Sequence, residues 1–359
     1  MQTLYFAYAV YGFAFAFISL SIQFQLVNEY KYSASDLAMT WSSVSLPWAF
    51  KPVYGFISDR CGRRLCVSIG AFAAGIILAL LPNAGTQLGL GLSFASLCVC
   101  FADVASDSIV VTHTKQHGKA LQSTCWTART FGSMVGTGLS GVAYEMIGFK
   151  GVLQISAIGP FILSIVIWNI QEPDYVVAPL KNAIGSIYNM RHLILIAVFM
   201  GLMPEVNNAF FYVLKDLLQP IELSIISVAG SFTACIVSFL FQYIKSFKTP
   251  IRIAVVLSIL CCILAFCTYA GTPPFVTELV RSILGGVAGM LFVLPLVIES
   301  AKLSSDGAEG VSYALFVSIM NLSGVVGEYF EGIFVRQLND MGLFLIVAAV
   351  VSWLPLLVI

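Results

Sequence analysis

The chain has 359 residues, of which 59% are hydrophobic and only 10% charged, whereas about a quarter of the residues in ordinary globular domains are charged. Its 18 basic residues are balanced by 18 acidic ones, which leaves no basic excess to neutralise phosphates and excludes nucleic-acid binding as a main role. A mean hydropathy of +0.93 excludes an ordinary soluble protein and predicts one that is surrounded by the lipid bilayer.

Apolar segments long enough to cross a bilayer follow one another along the chain. A spanning helix needs roughly 20 apolar residues, and this length predicts an all-α membrane protein with twelve transmembrane helices. The predicted spans are 3–23, 35–57, 65–82, 89–112, 120–147 and 151–168, followed by 192–212, 222–244, 251–270, 275–300, 310–334 and 341–359.

The longest polar interruption, residues 171–191, divides the predicted spans into two sets of six. We therefore expect an N-terminal six-helix half at 1–170, a cytoplasmic linker at 171–191 and a C-terminal six-helix half at 192–359. Two such halves are typical of a duplicated transporter, and the alternative is an accidental midpoint. Basic residues are concentrated in the loops on one side, which predicts that both termini are cytoplasmic. Because no organellar signal is visible, the plasma membrane is the expected location.

The loop between the second and third predicted spans carries a glycine, an Asp–Arg pair, a second glycine and two arginines. These residues are Gly55, Asp59, Arg60, Gly62, Arg63 and Arg64. The pattern resembles the loop motif of the major facilitator superfamily. We expect a conformational gate, in which Asp59 pairs with a basic group or a helix end of the other half in only one conformation. The alternative is a basic loop that only sets the topology.

Four charged residues fall inside the first six predicted spans, where each costs about 2.5–3.5 kcal/mol unless it pairs or faces a cavity. They are Lys51, Asp103, Asp107 and Arg129. Asp103 and Asp107 are four residues apart and therefore share one helix face. The four charges can neutralise one another in a polar cluster that binds substrate or a proton, or that only holds the half together.

The second six spans contain fewer charges, which are predicted nearer the outer face. Glu278 and Arg281 are three residues apart, so they either pair within their own helix or contact substrate. Glu205 and Glu328 receive no separate role, and Glu331 is expected to be solvated.

Small residues at helical spacing predict close packing of helices. They are Gly132, Gly136 and Ser140 in the fifth span and Ser323 and Gly327 in the eleventh. Prolines inside spans are expected to permit kinks near a central cavity. These prolines are Pro47, Pro52, Pro204 and Pro295.

Patterns that would indicate an enzyme or a metal centre have no support. His113 and His117 are four residues apart, but no cysteine or carboxylate supports them as ligands, so a solvated loop edge is the expected role. We find no nucleophile, base and acid set and no phosphate-binding loop. We therefore expect no catalytic activity, no metal and no cofactor.

Longer stretches resemble the folate-biopterin transporter family, a branch of the major facilitator superfamily. The similar segments are SLPWAFKPVYGFISD (45–59), ADVASDSIVV (102–111), LQSTCW (121–126), FFY (210–212) with Pro204, and EGVSYAL (309–315) with Ser318 and Asn321. The resemblance runs from the first span to about residue 332. The fourth span departs from the family pattern at 112–115, and the loops are shorter than usual.

The resemblance implies a secondary active transporter that moves folate or a related pterin by alternating access, coupled to protons through Asp103 and Asp107. One of these carboxylates would hold the amino-pyrimidinone edge of the ring. The aromatic residues expected to stack on the ring are Trp126, Phe210, Phe211 and Tyr212. Arg129, Lys51 or Arg281 would bind the glutamate carboxylates of folate. The alternatives are transport of another small polar or anionic metabolite, such as a nucleoside, amino acid or sugar, and a non-transporting membrane receptor.

Overall fold

The computed structural model describes residues 2–81, 85–170, 180–203, 206–304, 309–338 and 340–359, and these residues are almost entirely helical. In the N-terminal part (residues 2–170) the helices are α1 (Gln2–Phe24), α2 (Ala34–Ser45), α3 (Lys51–Cys61), α4 (Arg63–Leu80), α5 (Gly85–His117) and α6 (Lys119–Val166). In the C-terminal part (the described residues of 180–359) they are α7 (Leu180–Asn189), α8 (Arg191–Gly201), α9 (Asn207–Leu217), α10 (Pro220–Leu240), α11 (Lys248–Tyr269), α12 (Pro274–Leu303), α13 (Glu309–Leu338) and α14 (Met341–Val351).

Eight helical stretches in the described part of the chain are long and apolar enough to cross a membrane. They are Gln2–Glu29, Arg63–Leu80, Gln87–Thr114, Lys119–Asn169, Pro220–Tyr243, Lys248–Tyr269, Pro274–Leu303 and Val311–Leu338. Many large apolar side chains lie on the outside of the molecule, Leu80 and Met146 among them. Such a surface is suited to lipid.

Several predicted spans contain a break. The second consists of α2 and α3, which are joined by the 3₁₀ segment Leu46–Phe50, and this segment contains Pro47. The seventh consists of α8 and α9, while Pro204 between them lies outside the described residues. Within α6, Gly148 has a φ of 68°, so the backbone turns between residues 119–147 and 149–166. This turn lies between the predicted fifth and sixth spans.

The helix packing predicted from small residues in the fifth span is confirmed. A Cβ atom on Gly136 of α6 would lie 2.7 Å from the carbonyl oxygen of Phe13 in α1. Ser140 donates a hydrogen bond to the carbonyl of Phe17, with an Oγ–O distance of 2.8 Å. In α13, a Cβ on Gly327 would lie 2.6 Å from the carbonyl oxygen of Gly201, so α13 and α8 approach equally closely. Only a glycine allows backbones to come this near.

The N-terminal and C-terminal parts contact each other at both ends. At one end Phe24 packs against Phe211, with ring centroids 5.2 Å apart, and Ser35 donates to the carbonyl of Gly332. At the other end Lys119 donates to the carbonyl of Ile244 over 2.9 Å. One cavity lies between the two parts and a second lies mainly within the N-terminal part.

Candidate functional site

A cavity with a volume of about 1010 Å³ lies between the N-terminal and C-terminal parts; we call it the main cavity. Among the described residues, the charged ones that line it are Glu278, Arg281 and Glu328, and Phe211 and Trp48 contribute aromatic surface. Ligand pockets range over roughly 300–1,000 Å³, so the main cavity has room for a substantial organic molecule.

Glu278 and Arg281 form an ion pair on the wall of the main cavity. The distance from Arg281 Nε to Glu278 Oε2 is 2.6 Å, as the three-residue spacing in α12 allows. Thr268 of α11 donates to the other oxygen of Glu278 over 2.8 Å. Glu278 is fully buried, whereas the side chain of Arg281 is 15% exposed. Arg281 is therefore the member of the pair that a ligand can reach.

A smaller side cavity of about 450 Å³ extends among α1, α2, α4, α5 and α6 of the N-terminal part. Most of its wall is apolar. It shares Ser19, Gln23, Asn208 and Glu328 with the main cavity, so the two spaces adjoin at these side chains.

The four charges of the first six spans meet in one place, as the sequence predicts; we call them the charge cluster. Lys51 Nζ lies 2.8 Å from Asp103 Oδ2 and 3.5 Å from Asp107 Oδ2. Arg129 Nη1 lies 3.0 Å from Asp103 Oδ1. The hydroxyl of Tyr8 donates to Asp107 over 2.5 Å. The cluster is internally neutralised and ties α1, α3, α5 and α6 together.

The charge cluster lines neither the main cavity nor the side cavity. Asp107 borders a crevice with Trp126 and Tyr313 that has no room for a water molecule. The nearest connection to the main cavity is Trp48, because Lys51 Nζ lies 4.9 Å from the centroid of its ring. In this conformation the structure therefore keeps the first-half charges apart from Glu278 and Arg281.

The aromatic candidates are also divided. Phe211 lines the main cavity. Trp126 lies beside the charge cluster, where the Arg129 guanidinium is 5.4 Å from its ring centroid. Tyr212 lines neither large cavity, and Lys215 Nζ lies 4.7 Å from its ring. Phe210, the fourth candidate, is fully buried and lines neither large cavity, so Phe211 is the aromatic candidate that a ligand in the main cavity can touch.

The loop motif folds tightly against its own part of the molecule. Gly62 has a φ of 93° and makes the turn from α3 into α4. Arg63 donates to Asp59 Oδ1 from Nη2 over 3.0 Å and from Nε over 3.2 Å, and it also reaches Thr112 Oγ1 over 2.8 Å. Arg63 is only 1% exposed, so it is an interior residue rather than a loop cation.

The other motif residues surround this pair. Gly55 is buried in α3. Arg60 donates to the carbonyl of Phe56 over 3.1 Å, and Arg64 donates to the carbonyl of Ile170 over 3.3 Å. These hydrogen bonds hold the loop against α3 and the end of the N-terminal part.

One expectation is wrong, because Glu331 is fully buried rather than solvated. Its Oε1 accepts the backbone N–H of Ala209 over 2.9 Å, near the start of α9. The first N–H groups of a helix lack partners within the helix, so a carboxylate is stabilised there.

Sequence reasoning assigned no site role to several residues of the main cavity. The omitted polar and aromatic lining residues include Trp48, Gln23, Asn208, Asn321 and Glu328. Trp48 and Asn321 lie within the segments that carry the family resemblance. Glu328 carried the signal of an intramembrane carboxylate, which by itself indicates a functional group. Gln23 and Asn208 carried no signal.

Comparison with known proteins identifies relatives along nearly the whole chain. The model of the BT1 family matches residues 11–190. The "Folate-biopterin transporter" of Synechocystis is 26% identical, and the alignment covers 99% of this chain and 79% of the relative. "Probable folate-biopterin transporter 2" of Arabidopsis thaliana is 21% identical over 94% of this chain and 77% of its own length. "Folate transporter 1" of Plasmodium falciparum is 22% identical over 89% of this chain and 70% of its own length.

Solved structures share the fold at low sequence identity. A mutant form of the nucleoside transporter NupG superposes with a TM-score of 0.75 and 15% identity, covering 99% of this chain and 97% of that one. The human organic anion transporter MFSD10 gives a TM-score of 0.72 with 12% identity, covering 99% of this chain and 98% of that one. A D-xylose-proton symporter gives a TM-score of 0.72 with 15% identity, covering 98% of this chain and 96% of that one. The chain therefore has the major facilitator fold, and with its apolar helices it is a multi-pass integral membrane protein.

Proposed function

Since this chain belongs to the BT1 family, we propose that it is a secondary active transporter that moves folate or a related pterin across the membrane by alternating access. The observation that carries the proposal is the main cavity, which is lined by residues of both the N-terminal and the C-terminal parts. A cavity at the interface of two such parts is the place where transporters of this architecture bind their cargo.

We propose twelve membrane crossings with both termini in the cytoplasm. The eight long stretches supply nine crossings if Gly148 divides residues 119–169 into two. The broken pairs α2–α3 and α8–α9, together with Met341–Leu357, supply the remaining three. Residues 1–170 and 192–359 then form the two halves, with 171–191 as the cytoplasmic linker. The excess of basic residues in the proposed inner loops supports this orientation. We propose the plasma membrane as the location, since no organellar signal is visible in the sequence.

The proposed substrate contacts in the main cavity are Phe211 and Arg281. The Phe211 ring offers a face for stacking, and Arg281 offers a guanidinium that is already oriented by Glu278. A carboxylate of the substrate would share Arg281 with Glu278, as a charge-assisted hydrogen bond.

We assign proton coupling to Asp107 rather than Asp103. Asp103 is held by two cations, at 2.8 Å and 3.0 Å, whereas Asp107 has one cation at 3.5 Å. Protonation of Asp107 would weaken its attraction to Lys51, which also contacts Trp48 on the main cavity. Lys51, Arg129 and Trp126 would then transmit the protonation state to the substrate site without touching substrate in this conformation.

Uptake of radiolabelled folic acid into proteoliposomes, with and without an inward proton gradient, tests the proposal. We expect saturable uptake that rises with the gradient and that unlabelled biopterin competes for, whereas nucleosides, sugars and amino acids do not. Competition by one of those metabolites and not by pterins would assign another cargo. Binding without accumulation inside the vesicles would identify a receptor. Saturable uptake that does not depend on the gradient would exclude proton coupling and leave folate as the substrate.

A further inference from the structure

We infer that the main cavity and the side cavity form one two-compartment site, in which a single substrate places its flat ring in the side cavity and its anionic tail at Arg281. The inference rests on the proposed function and assigns an orientation to the substrate. It also assigns the carboxylate of Glu328 as the contact for the edge of the ring.

The junction of the two cavities is polar. Four side chains line both spaces, and the charged one is Glu328 of α13. Gln23 of α1 and Asn208 of α9 face each other there, with Gln23 Nε2 3.4 Å from Asn208 Oδ1. Both parts of the molecule therefore contribute to this junction, so a ligand that spans it contacts both parts at once. Such a ligand would sense the relative movement of the two parts.

The side cavity suits a flat aromatic ring. Aliphatic side chains such as Ile22 and Leu78 form much of its wall, and Phe15 and Trp41 add aromatic faces. The indole Nε1 of Trp41 is buried and has no hydrogen-bond partner among the described residues. A buried donor without a partner is destabilising, because it has lost its hydrogen bonds to water. A ring carbonyl or ring nitrogen of a bound heterocycle would supply the missing acceptor after a small adjustment of the indole.

Glu328 matches the polar edge of such a ring. An amino-pyrimidinone edge presents adjacent N–H groups, and a carboxylate is an acceptor with two oxygens. In this conformation Asp103 and Asp107 line neither large cavity, whereas Glu328 lines both. The carboxylate that holds the ring is therefore Glu328, and the two aspartates are left for the charge cluster.

Arg281 lies beyond this junction on the wall of the main cavity. A ring seated in the side cavity would leave a flexible tail to extend into the main cavity, where Arg281 is the basic residue of the lining. The volumes of about 450 Å³ and about 1010 Å³ fit a ring in the first and a longer tail in the second. A pterin without a tail would use only the ring contacts.

Equilibrium binding to purified protein in nanodiscs tests this division, with folic acid as the tailed probe and biopterin as the tail-less probe. Arg281→Gln should weaken folic acid binding about tenfold or more, while biopterin binding stays within about twofold. Because this change leaves the buried carboxylate of Glu278 without its cation, the charge-balanced double variant E278Q/R281Q is measured beside it. Arg252→Gln, at an exposed arginine outside both cavities, is the matched control and should change neither affinity.

The ring contacts need their own variants. Glu328→Gln and Trp41→Phe should weaken both probes by a similar factor, and Ala95→Leu, which fills the side cavity, should abolish both. Trp353→Phe and Ala270→Leu, at exposed positions, are the controls. An equal loss of affinity for both probes in the Arg281 variants would overturn the two-compartment site. Unchanged binding of the probes to Ala95→Leu would overturn it as well. Wild-type protein that binds neither probe would overturn the proposed function and this inference together, whereas wild-type binding with unaffected variants rejects the inference alone.

Discussion

Asn321 donates a hydrogen bond from its side-chain amide to the backbone carbonyl of Trp48, over 3.2 Å and across the interface between the two parts of the molecule. In a regular α-helix that carbonyl would accept the N–H of the residue four positions later, which is Pro52 and has no N–H. Ser318 makes the equivalent contact with the carbonyl of Ala49. Side chains of α13 in the C-terminal part thus donate hydrogen bonds to backbone carbonyls at the break in the second span.

Removal of this link should loosen the interface. We expect Asn321→Ala to lower the free energy of unfolding by about 1 kcal/mol, because a partly buried carbonyl loses its donor. It should also raise the reactivity of thiols placed on the main cavity wall, since one contact between the parts is gone. Thermal unfolding and thiol labelling measure the two effects. The exposed Asn28→Ala serves as the control, and equal behaviour of the two variants would contradict the role of the link.

The two aspartates of the charge cluster should behave differently. Asp107→Asn should retain folate exchange between the two sides of the vesicle and lose stimulation by the proton gradient. Asp103→Asn should instead destabilise the fold by roughly 3–5 kcal/mol, because it leaves the buried Lys51 and the partly buried Arg129 without their closest partner. Exchange and gradient-driven uptake are measured on the same vesicles. Gradient stimulation that survives in Asp107→Asn would exclude Asp107 as the proton carrier.

Arg129→Gln tests the role of the Arg129 guanidinium in the charge cluster. We expect loss of folate uptake with the protein still folded, because Lys51 remains 2.8 Å from Asp103 and keeps part of the cluster neutral. Uptake and gel-filtration behaviour are the measurements. Lys150→Gln, at an exposed position, is the control. Unaltered uptake would remove Arg129 from the transport cycle.

The buried pair of Asp59 and Arg63 should resist conservative replacement. Arg63→Lys should lower the free energy of unfolding by roughly 2–4 kcal/mol, because an ammonium cannot reproduce the planar guanidinium that contacts Asp59 and Thr112 together. Arg60→Lys is the matched control, since Arg60 is exposed. Chemical denaturation in detergent gives both values, and a tolerated Arg63→Lys would contradict the need for a guanidinium at this position.

The contact between α1 and α6 should not admit a larger residue. Gly136→Val should prevent folding, because the new Cβ would lie 2.7 Å from a backbone oxygen of Phe13. A helix backbone cannot move away without separating the whole pair. Gly185→Ala in α7 meets nothing within 4 Å and should be tolerated. Expression yield and monodispersity distinguish the variants, and a folded Gly136→Val protein would show that the pair is less closely packed.

Much of the local structure could be read from the sequence. The length of each apolar run predicted where helices lie, and the turn at Gly148 falls between two predicted spans. The four-residue spacing of Asp103 and Asp107 predicted a shared face, and the need to neutralise buried charge predicted Lys51 and Arg129 beside them. These features depend on the spacing of residues along one helix or on the balance of buried charges, and both can be read from the sequence.

The tertiary structure alone decided which of these groups face the cavities. Sequence reasoning treated the charge cluster and Arg281 as parts of one substrate site, yet the structure separates them, and it places Glu328 at the junction of two spaces. It also buries Glu331 against the start of α9. The rotation of each helix about its axis and the choice of its partners depend on packing between residues on different helices, and no local pattern in the sequence encodes them.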